Sequence, residues 1–231
     1  IMHDNVQRLI RIENQIKEEI TKPSLEAFNL KPAKIIAISK TFPLESIMPL
    51  IDHGHLHYGE NKVQEAKIKW TGIKNKKPNL NLHFVGKLQT NKAKDVVKLF
   101  NYVHSLENIK QAELLSKYEK ELKKKLKYFV QVNIAHEKQK SGIDPKDTKN
   151  FIETCKSKYD LEIIGLMCLP PYVKSTEKYF SMMLDLKKSS LSPDSHKVAE
   201  LSMGMSNDYL KAIHYRSTYV RIGTEIFGER K

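Results

Sequence analysis

Long apolar runs are missing from this 231-residue chain. No segment approaches the ~18 consecutive apolar residues that a membrane-spanning helix needs, so no membrane partner is expected. Cysteine is scarce. Cys155 and Cys168 stand apart and form no CxxC pattern. Neither a zinc finger nor a disulfide framework follows from them, and a reducing cytoplasm is the simplest compartment. Linkers rich in Pro, Gly or Ser, low-complexity tracts and repeats are absent too, which argues for one domain over residues 1–231. The opening "IMHDNVQRLIRIENQIKEEI" lacks the continuous apolar core and small-residue cleavage site of a signal peptide. It reads as an amphipathic helix, and residues 1–30 as an N-terminal helical extension.

Acidic residues are in the minority. Forty Lys and Arg against 27 Asp and Glu give a formal net charge of +13, which raises a nucleic-acid partner as a possibility. Such a protein would be a basic binder with salt-dependent affinity. An RNP-type aromatic motif, a zinc finger and a helix-turn-helix pattern are all lacking. Much of the excess is lysine in "TGIKNKKPN" and "ELKKKLKY", which read as solvated helix faces and loops. No specific nucleic-acid partner is expected.

What the chain does contain is a rhythm. Short β-branched or aromatic runs at 35–40, 55–60, 82–86, 102–107, 127–134, 161–169, 197–204 and 218–226 alternate with amphipathic stretches. One such stretch, "NIKQAELLSKYEKELKKKL", spaces Ile109, Ala112, Leu115, Tyr118 and Leu122 at helical intervals. Eight strands alternating with helices in this length predict an α/β fold, a single (β/α)8 TIM barrel with an extra N-terminal helix. An open doubly wound sheet is the alternative. It would usually bring a glycine-rich phosphate loop after the first strand, and "SKTFPLES" is no GxGxxG.

In such a barrel the chemistry gathers where the strands end. Lys40, in "IIAISKTFP", follows the first strand. It is either an amine that attacks a carbonyl to form a Schiff base, or a lysine snorkelling off a strand end; spacing alone favours the second. The last quarter adds two small-residue turns. In "SMGMSNDY", Ser206 or Asn207 can cap a helix beginning near Asp208. In "RIGTEIFG", Gly223 admits close backbone approach to a ligand and Thr224 offers a hydroxyl. The loops after the seventh and eighth strands of barrels frequently hold phosphate. Plain turn chemistry is the alternative for each. Taken with Lys40, they suggest a ligand with an aldehyde at one end and a phosphate at the other, as in pyridoxal 5′-phosphate.

The stretches "AISKTFP", "YGENKVQEA", "HFVGKLQTNK", "KSGI", "GLMCLP", "LSMGMSNDYLKAI" and "STYVRIGTEIFGER" cover nearly the whole chain. Through them the sequence resembles the pyridoxal-phosphate homeostasis protein family, which is related to the N-terminal barrel of alanine racemase. The resemblance implies that Lys40 carries pyridoxal phosphate as an internal aldimine. It implies that Ser206 and the backbone around Gly223 and Thr224 hold the phosphate, that Asn61 sits near the ring edge, and that Arg221 faces the pyridine nitrogen. Taken alone, Arg221 is equally a strand-end charge paired with Glu60 or Glu225. A guanidinium only donates hydrogen bonds, so facing that nitrogen it would leave it unprotonated and a poorer electron sink.

Racemases of this fold add a tyrosine base from a further β domain and partner subunit, for which no room is expected after the last strand. The implied protein is a cytoplasmic monomer that holds pyridoxal phosphate for recipient apo-enzymes, with little or no amino-acid turnover. A weak racemase or transaminase is the alternative. One departure stands out. Arg216, in "AIHYRST", replaces the glycine usual in the family. In a left-handed turn it would cost roughly 1 kcal/mol, and it could instead add a cation near the phosphate.

Other clusters lead to plainer readings. His53, His55 and His57 alternate, and the last two would share a strand face. Without a second cluster of Cys or carboxylate partners no metal is expected. His83 and His104 read as hydrogen-bonded barrel residues, Cys168 as a buried inert thiol, and Trp70, Phe100 and Tyr118 as core.

Overall fold

The structure, a computed structural model, describes residues 2–138, 141–190 and 199–229. Its first half runs α1 (Asp4–Ile20), α2 (Pro23–Glu26), β1 (Lys34–Ile38), α3 (Leu44–His53), β2 (His57–Glu60), α4 (Val63–Lys76), β3 (Asn81–Phe84), α5 (Ala93–Leu99), β4 (Tyr102–Leu106) and α6 (Ile109–Leu122). The second half runs β5 (Lys127–Gln131), α7 (Thr148–Ser157), β6 (Glu162–Met167), α8 (Glu177–Ser190), β7 (Glu200–Ser202), α9 (Tyr209–His214), β8 (Tyr219–Ile222) and α10 (Thr224–Phe227). The strands pair in chain order, all parallel, and β8 returns to β1 from Lys34↔Tyr219 to Ala37↔Ile222. This is the expected (β/α)8 barrel.

Strand alternation sorts the side chains into two cores. Ile35 and Ala37 of β1 point outward and join Ile47, Leu50, Trp70, Val96, Leu115 and Phe180 in the layer between barrel and helices. Ile36 and Ile38 point inward and meet Tyr102, Phe129, Met167 and Tyr219. Burial on both faces explains why β1 and β6 read as almost unbroken apolar runs, while β2, β3, β4, β7 and β8 carry buried polar residues among their apolar ones. On α6, Ala112 and Leu115 are buried, Tyr118 and Leu122 pack against the core, and Ile109 is exposed. The N-terminal helix α1 buries Val6, Leu9, Ile12 and Ile16 at helical spacing and packs on α3, α9 and α10.

The strands end earlier than their composition suggests. β1 stops at Ile38 rather than residue 40, and β8 at Ile222 rather than 226. Regular pairing stops there, although single bonds such as Ser39 N to Gly59 O continue past the last paired residue. Thr224, expected in the last strand, opens α10, with Gly223 at its N-cap. The seventh strand is short, and residues 197–198 of its expected span lie outside the described residues. The expected cap also moves. Asp208, not Ser206 or Asn207, is the N-cap of α9, and its carboxylate accepts from Met205 N at 2.8 Å without capping the helix itself.

Candidate functional site

Lys40 sits two residues beyond β1, half-buried, in a turn held from below and from the side. The alternation that sends Ile36 and Ile38 into the barrel puts Lys40 next on that side. Ser39, fully buried, donates from N to Gly59 O at 3.0 Å and from Oγ to Glu60 Oε1 at 2.9 Å. Glu60 Oε1 also accepts from Lys69 Nζ and Trp70 Nε1, each at 2.8 Å. Thr41, on the other side, has φ +68°, a left-handed conformation that a β-branched residue resists. Its N–H donates to Glu65 Oε1 at 2.6 Å. Lys40 is therefore the centre of a turn clamped by two carboxylates of the neighbouring β2–α4 unit.

The other expected residues stand on adjoining staves at the same end of the barrel. Asn61 follows β2, Ser206 follows β7, and Gly223 and Thr224 follow β8. The structure thus brings the six residues onto β7, β8, β1 and β2, four neighbours in the closed sheet. Asn61 Oδ1 is buried without a partner among the described residues, an acceptor available to a ligand donor. Gly86 explains its position: a Cβ there would lie 2.1 Å from Asn61 O, so only glycine lets the β2 turn settle. Ser206 Oγ lies 3.4 Å from Glu225 N, a long contact at the turn that Gly223 begins. Thr224 is exposed there.

Arg221 is buried inside the barrel and pairs with neither Glu60 nor Glu225. Nη1 donates to Ser202 Oγ at 2.6 Å and Nη2 to Cys168 O at 3.0 Å. Glu60 serves the Lys40 turn, and Glu225 binds Arg11 at 3.0 Å. Cys168 is buried as expected, and burial pushes its thiol up to about 12, so it is no nucleophile at neutral pH. Sequence reasoning missed Ser202 as the partner of Arg221; a lone serine in a three-residue strand carries no local signal. It also missed Glu60 as the anchor of the Lys40 turn.

Arg216 does take the left-handed conformation, with φ +66°, but it is not near the other site residues. It lies on the connection entering β8, at the opposite end of the strands, with its guanidinium 3.7 Å from the Phe28 ring centroid. A cation–π contact with the N-terminal extension replaces the suggested phosphate contact. Among the described residues no three His, Cys, Asp or Glu side chains are grouped to hold a metal. No described helix is long and apolar enough to cross a membrane.

Comparison with known proteins decides the family. The family model "Alanine racemase, N-terminal domain" matches residues 25–231. The pyridoxal phosphate homeostasis protein of Haemophilus influenzae is 34% identical over 231 residues, spanning 98% of this chain and 96% of that protein. Its namesake in Aquifex aeolicus is 35% identical over 202 residues, spanning 86% and 88%. This chain belongs to the pyridoxal phosphate homeostasis protein family. The structure of a member from Synechococcus elongatus PCC7942, PipY with pyridoxal phosphate bound, is 31% identical and matches with a TM-score of 0.76, covering 92% of this chain and all of that one. An alanine racemase of Clostridium difficile 630 shares the fold alone, at 16% identity and a TM-score of 0.71, with 57% of its length matched. The residues of this family member fit the cofactor: a rim lysine, a buried acceptor at Asn61 with no partner among the described residues, and a glycine at position 223 that presents no side chain to a ligand.

Proposed function

We propose that this chain holds pyridoxal 5′-phosphate covalently through Lys40 and serves intracellular pyridoxal-phosphate homeostasis as a cytoplasmic monomer, passing the cofactor to apo-enzymes with little or no amino-acid turnover. The observation that carries the reading is the gathering of Lys40, Asn61, Ser206, Arg221, Gly223 and Thr224 on four adjoining staves at one end of the barrel. The cofactor-bound structure of PipY supports it. When bound, the group supplies an aldehyde that condenses with a primary amine and a ring that draws off electrons. Lys40 contributes the amine, on a turn rigid enough to present it. Ser206 and the backbone around Gly223 and Thr224 receive the phosphate, which the lysine-rich net charge of +13 helps to attract. Asn61 borders the ring edge.

Arg221 governs the outcome. Both of its bonds to the protein are donations, and it stays charged at any accessible pH. Facing the pyridine nitrogen it offers a hydrogen bond and no transferable proton, so carbanion chemistry is held down. Absorption spectroscopy tests both halves of the reading. Purified protein with added pyridoxal phosphate is expected to show a visible band that borohydride abolishes, with the label retained on the Lys40 peptide. Lys40→Ala is expected to lose the band. D- and L-alanine are expected to remain unconverted; measurable conversion would return the racemase or transaminase alternative.

A further inference from the structure

The barrel interior holds a row of polar side chains that the proposed function uses at one end only. Arg221 Nη1 donates to Ser202 Oγ at 2.6 Å. Ser202 Oγ lies 2.8 Å from His104 Nδ1. His104 Nε2 lies 2.9 Å from His83 Nδ1, and His83 Nε2 lies 2.9 Å from His57 Nδ1. Five residues on β8, β7, β4, β3 and β2 are joined head to tail through the core. The first four are buried, and His57, at the start of β2, is half-buried. Packing holds the rings in place. His83 stacks on Tyr102 at 4.2 Å between centroids, and His104 on Phe129 at 4.3 Å.

Counting donors gives the chain a direction. The guanidinium can only donate, and Nη2 is taken by Cys168 O. Ser202 Oγ therefore accepts from Arg221, and the acceptor for its single hydrogen is His104 Nδ1. Burial first, and then the charge of Arg221, hold His104 well below the ordinary histidine pKa. Burial first, and then His104 and His57, do the same for His83. Both rings are neutral, so each has one hydrogen to place. With Nδ1 accepting, His104 carries its hydrogen on Nε2 and donates to His83. By the same step His83 donates to His57, whose hydrogen is left on Nε2. Reversing the order would point two donors at Ser202 Oγ and leave its hydroxyl hydrogen without a partner among the described residues.

We propose that Arg221, Ser202, His104, His83 and His57 form one directed hydrogen-bond chain, in which Ser202 and His104 are positioning residues that fix the Arg221 guanidinium and all three histidines are locked as Nε2–H tautomers. The tautomers follow from the hydrogen-bond geometry and from the neutral state that burial imposes on the rings; the effect at the cofactor ring rests on the function proposed above. The chain also ties the two ends of the barrel together. At the base, His57 is faced by Lys34 of β1, His55 ahead of β2, His83 of β3, Tyr102 of β4 and Tyr219 of β8. A proton arriving there finds Nε2 occupied and Nδ1 accepting, so uptake requires the whole chain to turn round.

Long-range 1H–15N correlation of the imidazoles at pH 7, without added cofactor, reads the tautomers directly. The rings can be assigned through their contacts with Tyr102 and Phe129. Nε2–H is expected for His57, His83 and His104; an Nδ1–H form, a mixture or an imidazolium at either buried ring overturns the proposal. Ser202→Ala is expected to change the His104 tautomer signals, shift the visible band of the bound cofactor and weaken its binding roughly tenfold. Ser202→Thr, which keeps the hydroxyl, is expected to restore all three. If Ser202→Ala leaves both tautomers and band unchanged, the positioning role falls. If the protein takes up no pyridoxal phosphate, the function proposed above fails, and the tautomer signals of the wild type and of Ser202→Ala still decide the chain.

Discussion

Gly223, assigned to the phosphate by the function proposed above, is expected to matter to the ligand without mattering to the fold. Its φ is −114°, a conformation open to any residue, and an added Cβ would make an ordinary contact with Ile38 at 3.5 Å. Gly223→Ala is expected to unfold within about 0.5 kcal/mol of the wild type. A methyl group in the space assigned to the phosphate is expected to weaken pyridoxal-phosphate binding by ~10-fold or more, as overpacking at a fitted surface does. A thermal melt and an absorbance titration separate the two effects. Loss of stability without loss of affinity would remove Gly223 from the site. Arg216 is the opposite case, since its φ of +66° is one that glycine adopts more cheaply, and its stacking on Phe28 offsets part of that cost.

At the scale of elements, the decisive unit is the end of β1 with the β2–α4 connection. Glu60 is fully buried, and its Oε1 gathers Ser39, Lys69 and Trp70. Lys69 has only 9% of its side chain exposed, so this is an ion pair largely out of water. Removing one partner of such a pair costs about 3–5 kcal/mol, because the other charge is left buried. Glu60→Ala is expected to lose that much in urea denaturation. Glu60→Gln keeps the shape and one acceptor, and is expected to lose less. Both should loosen the Lys40 turn, so cofactor retention in Glu60→Gln is expected to fall with Lys40 itself unchanged. Retention equal to the wild type would mean that the turn is held by Thr41 and Glu65 instead.

Across the whole molecule, the buried histidines make stability depend on pH. Burial is the leading cause in each case. His55 and His57 are lowered to about 4, and His83 and His104 lie well below the ordinary value. The unfolded chain protonates these rings near pH 6.5 while the folded chain does not, so the unfolded state binds more protons below that point. The contribution is complete above pH 6.5 and is lost as the pH falls towards 4. Each ring adds a slope of up to about 1.4 kcal/mol per pH unit in that window. Melting temperatures are expected to be level above pH 7 and to drop steeply between pH 6.5 and 4.5. His57→Gln is expected to flatten the curve. A level profile down to pH 5 would contradict the neutral state of these rings.

The number and order of the staves could be read from the sequence because short β-branched or aromatic runs, buried on both faces, alternate with amphipathic helical stretches. Lys40, Asn61, Ser206, Arg221, Gly223 and Thr224 could be put forward as candidates because their local motifs resemble one family, and the barrel places them on adjoining staves toward one rim. Strand ends could not be read, since nothing local marks where regular pairing with a neighbouring strand stops. Nor could the partners of Arg221. His83 and His104 were expected to be hydrogen-bonded barrel residues, yet nothing local says to what. The answer depends on the stagger of a closed sheet, which sets Arg221 beside Ser202 and the Cys168 carbonyl rather than Glu60 or Glu225. Ser202 and His104 are 98 residues apart in the chain and 2.8 Å apart in the barrel. Closure brings them together, and closure is a property of all eight strands at once.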